Sequence, residues 1–195
     1  MRPAFRCGTD RYSVKCYEHR RVWIDALIRV LSSLFSIDVC AYAVLSNHYH
    51  LVVKLDPEHA VHWSDDVVLK RCTSVFKETL MVQRHIADAN LCQAEQDSLQ
   101  STAAIYRQRL SSLSWFMKRL SQPIPRQVYA EDNCAGHFWE ARFRSQVLIT
   151  ERALICAMAY VDHNPVRAGI ARWRPLSAVV GPVSGGFSSL RRFRS

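Results

Sequence analysis

Two histidines one residue apart, His48 and His50, stand at the front of the apolar run "HYHLVVKL". In an extended strand, residues i and i+2 project from one face with Cα atoms roughly 6.5–7 Å apart, so both imidazoles can converge on one cation. Two nitrogens leave an ion short of ligands, and the same pair suits two surface histidines at a strand end. Further along, "AYVDHNPV" sets Tyr160 and Asn164 four residues apart, one above the other on a helix face. There a tyrosine offers a nucleophilic oxygen and an asparagine a neutral oxygen ligand. The competing reading is a tyrosine packed at the core's rim and an asparagine that ends the helix before Pro165. His163, three residues from Tyr160, is the rival for the third ligand position.

Charge bears on the substrate. The 195 residues include 26 Lys and Arg against 17 Asp and Glu, a net charge of +9. That excess suits a polyanionic partner, nucleic acid first and an acidic membrane surface second. At 49% hydrophobic and 10% aromatic, the chain can bury a sizeable core, which excludes global disorder. The seven cysteines are odd in number and include no C-x-x-C pair, which argues against a disulfide framework or a zinc ribbon. Thiols in a reducing cytoplasm are the simpler account. "MRPAFRCGTD" lacks the apolar region of a secretory signal, and no apolar run is long enough to span a bilayer. A zinc hydrolase would want carboxylate ligands or an H-E-x-x-H helix, and the sequence has no such helix.

The elements that must position these residues follow from periodicity. "YEHRRVWIDALIRVLSSL", 17–34, reads as an amphipathic helix with a stripe of Trp23, Leu27, Val30, Leu31 and Leu34. "IDVCAYAVL", 37–45, and "HYHLVVKL", 48–55, read as a β-hairpin across Ser46-Asn47. Residues 56–112 hold one proline and no glycine, and read as helical and partly inserted. Residues 102–121 form a further helix, with Ile105, Leu110, Leu113, Met117 and Leu120 on one stripe. Arg107, Arg109, Lys118 and Arg119 are its polar-face candidates, and Pro123 and Pro125 end it. "HFWEARFRSQVLI", 137–149, alternates as a strand, with Trp139, Ala141 and Phe143 on one face and Glu140, Arg142 and Arg144 on the other. Thr150 caps a helix that Pro165 is expected to stop at Asn164. The Gly- and Ser-rich residues 181–195 read as a flexible basic tail, leaving 1–180 as one domain with the insertion at about 56–112.

The set "SNHYHLVV" and "AYVDHNPVRAGIA" resembles the REP-associated tyrosine transposases, relatives of the single-strand DNA transposases of the HUH nuclease class. "GHFWEARFRSQ" and "LSWFMKRLSQPI" also resemble segments of that family, and the similarity runs from about residue 2 to about residue 173. Each motif alone is modest; the ordered set with its Tyr-x-x-x-Asn-Pro spacing is specific.

The resemblance implies an α+β fold, a ferredoxin-like antiparallel sheet with flanking helices. That plan opens with a strand before the first helix, beside the histidine strand, and "MRPAFRCG" is a poor candidate, so the first strand is expected to be missing. His48 and His50 match the family's metal pair, Asn164 its third ligand and Tyr160 its nucleophile. The implied cofactor is Mg²⁺ or Mn²⁺, and the implied reaction is cleavage and rejoining of single-stranded or hairpin DNA, such as REP-like palindromes, through a 5′-phosphotyrosine. Arg142, Arg144, Arg167, Arg172 and Arg174 are the expected DNA contacts. A cytoplasmic monomer or homodimer with no membrane partner completes the expectation. The alternative is a catalytically impaired, truncated or domesticated copy that only binds DNA.

Overall fold

The computed structural model describes residues 7–8, 15–76, 79–87, 91–133, 136, 138–139, 141–170 and 190–194. Its centre is the expected hairpin: β1, Ile37–Val44, pairs antiparallel with β2, Tyr49–Leu55, in register from Ile37 with Leu55 to Val44 with Tyr49. A bulge falls between Val39 and Ala41. Most of both strands is buried on both faces, and such strands need a helical layer on each side.

Two further strands complete a sheet of order β1-β2-β4-β3: β3 is Arg144–Leu148 and β4 is Leu190–Arg194. β4 lies antiparallel between β2 and β3, with His50 opposite Arg194 and Arg194 opposite Arg144. Two expectations change here. Residues 190–194 are a strand rather than part of a flexible tail, and the outer edge of β2 is paired rather than left open. The physical reason is shared: a buried strand's N–H and C=O groups must find partners, and a five-residue segment behind a Gly/Ser-rich stretch supplies them. The architecture is mixed α and β, an antiparallel sheet with helices on both faces.

On one face lies α1, His19–Leu34. Its buried line is Ile24, Ile28 and Leu31, while Val30 is half exposed, so the helix is rotated from the expected stripe. Arg20 explains the rotation. It is 1% exposed, sits over the Tyr17 ring and donates to Glu131 (2.9 Å) and Asp132 (2.6 Å), so a paired cation takes a position that apolarity alone gives to a hydrophobe.

The helical reading of 56–112 resolves into α2 (Pro57–Val61), α3 (Asp65–Thr73), α4 (Leu80–Ile86) and α5 (Gln93–Leu110). Asp56, Ser64 and Thr79 cap the first three through their side-chain oxygens. Val68, Leu69, Cys72, Val82, Leu99 and Ala103 join the same core as Ile24 and Leu51, so these helices pack into the main body. Arg107 ties them together through the carbonyls of Ala60 and Trp63 and the carboxylate of Asp65.

The expected single helix over 102–121 is two. Ser111 closes α5, and Ser112, extended at ψ 121, opens α6 (Leu113–Ser121). The break turns Ile105 outward and lets Phe116 replace it in the core. Pro123 begins α7 (Pro123–Asp132), where its missing N–H is no loss.

On the other face lies α8, Glu151–Arg167, with Thr150 Oγ1 accepting from Ala153 N. It runs through Pro165 instead of stopping at Asn164. A proline so near the end removes one intrahelical bond. The terminus is then closed by Gly169 (φ 69), whose N–H donates to Val166 while Ile170 N donates to Pro165. No helix among the described residues is long and apolar enough to cross a membrane.

Candidate active site

α8 packs on β1 and β2 through small residues. Ala41, Ala43 and Val52 from the sheet meet Leu154, Ala157 and Val161 from the helix, all buried. With methyl groups at the contact, the helix backbone approaches the strands closely. His50 lies two residues before Val52 on that same face of β2, opposite Ala43 of β1. It is 2% exposed.

Three of the expected side chains meet there. The His48 and His50 rings lie 4.9 Å apart between centroids, and the His50 and Tyr160 rings 5.6 Å apart, each pair edge to face. Tyr160 is 39% exposed, so its ring is reachable from solvent. Asn164 is one turn beyond Tyr160 on α8 and half buried, and its Nδ2 is buried with no hydrogen-bond partner.

His48 is held by its turn. Leu45 N donates to His48 O (2.8 Å), and Cys7 N donates to Ser46 O (2.8 Å), pinning the hairpin tip to the N-terminal segment. His48 Nδ1 donates to Asn47 Oδ1 at 2.7 Å. That bond fixes the proton on Nδ1 and leaves Nε2 with the lone pair, the arrangement in which an outer partner orients a metal-binding imidazole.

The donor set fits a divalent cation. Two imidazole nitrogens and an amide oxygen are neutral ligands, and three of them leave open positions on an octahedral ion. The atom of Asn164 that would hold an ion is Oδ1; its buried, unpartnered Nδ2 is a donor, which calls for an acceptor and not a cation. Among the described residues no group of three or more His, Cys, Asp or Glu side chains could hold an ion. Asp162 also has a buried unpartnered oxygen, Oδ1. Standing two residues from Tyr160 and Asn164, it points roughly 200° away around the helix, and the sequence reading did not single it out. His163, the rival ligand, is exposed.

Tyr106 and Tyr129 offer no nucleophile beside the histidines. Tyr106 is buried and stacked on Phe76, and Tyr129 donates its hydroxyl to Gly136 O.

The expected DNA-contacting arginines divide. Arg144 is exposed and stands in the same cross-sheet row as His50, through Arg194. Arg167 is exposed in the last turn of α8. Arg142 is not on a common strand face with Arg144. β3 starts only at Arg144, because Trp139 and Phe143 turn inward against the core and pull 138–139 and 141–143 out of the sheet. Arg142 lines a cavity with Tyr49 instead. Arg172 and Arg174 lie outside the described residues.

No family model, no curated protein and no solved structure matches the chain.

Proposed function

We propose that this chain is a metal-dependent HUH-type tyrosine transposase, a nickase and strand transferase for single-stranded or hairpin DNA, built on a ferredoxin-like sheet. The observation that carries the reading is that His50 stands in ring contact with both His48 and Tyr160, the two groups needed to hold an ion and to attack a phosphate. The strand order β1-β2-β4-β3 supports the ferredoxin-like plan, with β4 in the slot beside the histidine strand.

Tyr160 Oη gives up its proton to solvent and attacks the scissile phosphorus. The bond from phosphorus to the 3′ oxygen breaks, that oxygen takes a proton from solvent, and a free 3′-hydroxyl leaves. The 5′ side of the strand stays on Tyr160 as a phosphodiester, so the bond can be resealed by attack of a 3′-hydroxyl without a nucleotide cofactor. His48, His50 and Asn164 would hold a Mg²⁺ or Mn²⁺ ion, which would supply neutralisation of the charge that develops on the phosphate, and Arg144 and Arg167 would approach the strand from the sheet and from the end of α8.

The test is a labelled hairpin oligonucleotide incubated with protein and Mn²⁺, then run on a denaturing gel. The wild-type protein should carry label, and Tyr160→Phe, which keeps the ring and deletes the hydroxyl, should bind the hairpin without carrying any. A wild-type protein that shifts the hairpin yet never takes up label would make it a DNA-binding protein.

A further inference from the structure

Adjacent strand residues point to opposite faces, so Tyr49 looks away from the His50–Tyr160 side. There it lines a cavity of about 650 Å³ between α6, α7 and residues 138–139 and 141–143. That volume lies within the roughly 300–1,000 Å³ of small-ligand clefts. Its walls are aromatic and fixed. Trp139 Nε1 donates to Ser121 O (3.0 Å), Tyr129 is tied to Gly136 O, and Phe138 sits edge-on to Trp139 (4.8 Å) and to Tyr129 (6.0 Å). Phe143 and Arg142 complete one side and Lys118 the other.

Lys118 and Arg142 are the basic residues that line the cavity. A basic margin continues outside it: Lys118 Nζ and Arg109 Cζ both lie 4.6 Å from the Trp115 ring centroid, and Arg119 Cζ lies 5.3 Å from that of Phe76. Burial, and the nearby Arg126 charge, both lower the Arg119 pKa, the mark of cations crowded without anions. Several arginines elsewhere are paired with carboxylates: Arg20 with Glu131 and Asp132, Arg29 with Asp25, Arg84 with Glu95 and Arg107 with Asp65. Among the described residues Arg109, Lys118, Arg119, Arg126 and Arg142 join no ion pair. Preset rings beside uncompensated cations match a polyanion with flat, apolar faces.

We propose that this cavity takes an unpaired nucleobase of single-stranded DNA, with flanking phosphates on Lys118, Arg142 and the Arg109–Arg119 margin, on the face of the sheet opposite Tyr160. The inference rests on the DNA reading above and adds to it a second contact surface. Stacking is sequence-tolerant, because every base has a π-face, and each stacked base contributes roughly 1–3 kcal/mol.

The test uses oligo(dT) and a fully paired duplex with full-length protein. Phe143→Ala should weaken oligo(dT) binding about 5- to 150-fold, the equivalent of that stacking energy, while duplex affinity of the folded variant stays near wild type; its melting temperature should fall, because Phe143 also packs against the core. Lys118→Ala and Arg142→Ala should each flatten the log–log salt slope on single strands by about 0.7. If Phe143→Ala fails to fold, photocrosslinking of 5-iodouracil oligonucleotide to wild-type protein replaces it, with adducts expected on Tyr129, Phe138, Trp139 or Phe143. Unchanged oligo(dT) affinity in a folded Phe143→Ala protein, or crosslinks confined to the Tyr160 side, would overturn the proposal. Label on Tyr160 with no cavity contact sinks this inference alone; cavity contact with no label on Tyr160 sinks the transposase reading and leaves this one standing.

Discussion

The imidazole of His50 lies edge-on to the phenol ring of Tyr160, with centroids 5.6 Å apart and planes at 74°. One ring is buried in the sheet and the other opens to solvent at the helix surface. Their separation is set by how closely α8 approaches the strands, which depends on the alanines between them. Ala157 is 4% exposed in that contact. Ala157→Leu should wedge the helix outward, destabilise the protein by about 1–3 kcal/mol and reduce adduct formation more than DNA binding, since an error of about 1 Å in placing a reacting group can cost on the order of 100-fold. Chemical denaturation and single-turnover labelling measure the two effects. Equal losses of binding and labelling would contradict the coupling.

The ion is testable without DNA. A cation bound only by the folded state raises the melting temperature in proportion to RT ln(1 + [L]/Kd). Mn²⁺ should therefore stabilise the wild-type protein. His50→Ala and Asn164→Ala should each remove most of that shift, while Asn164→Asp, which keeps an oxygen ligand, should retain it. Loss of the shift in His163→Ala but not in Asn164→Ala would move the third ligand to the exposed histidine.

The placement of these side chains was legible because it depends on local spacing. The i, i+2 pair at His48 and His50 and the i, i+4 pair at Tyr160 and Asn164 are fixed by strand and helix geometry alone. What was illegible depends on distant partners. Arg20 occupies a core position because Glu131 and Asp132, far along the chain, meet it. Residues 190–194 became a strand because β2 and β3 leave a slot, a need that no five-residue window reveals. The break at Ser111–Ser112 was hidden by an apolar stripe that stays roughly in phase across it. Arg142 was misread because Trp139 and Phe143 found a core to pack against and ended the strand early.

The Arg20 clamp makes the fold acid-sensitive. Burial alone would raise the Glu131 pKa, but hydrogen bonds from His19 and Arg20, with the Arg20 charge, outweigh it and hold the carboxyl below its ordinary 4.5. A depressed carboxylate contributes stability that is fully present above the unfolded value and lost as pH falls through the folded one. Melting temperature should thus fall below about pH 4.5, and Glu131→Gln should make that acid limb shallower. Arg20→Met should cost stability at neutral pH, toward the lower end of the roughly 3–5 kcal/mol for breaking a buried pair, because both carboxylates keep some solvent. An acid limb unchanged in Glu131→Gln would contradict the assignment.

Strand β4 should contribute to the site from a distance. A protein truncated after residue 180 loses the partners of β2 from His50 to Lys54. Each backbone bond lost there is worth about 1 kcal/mol, and an uncovered strand edge invites aggregation. Amide exchange at Leu51, Val52 and Val53 should accelerate and the Mn²⁺-induced melting shift should shrink. Unchanged protection in the truncated protein would mean that β4 does not support the histidine strand.

The most direct test of the central claim is peptide mapping of the covalent adduct. Protein incubated with hairpin DNA and Mn²⁺, digested with nuclease and then trypsin, should yield the peptide from Ala153 to Arg167 with a nucleotide phosphate added, and fragmentation should localise that mass to Tyr160. The same digest of Tyr160→Phe should contain only the unmodified peptide. A nucleotide adduct found on Tyr106 or Tyr129 instead, or one that persists in Tyr160→Phe, would contradict the account.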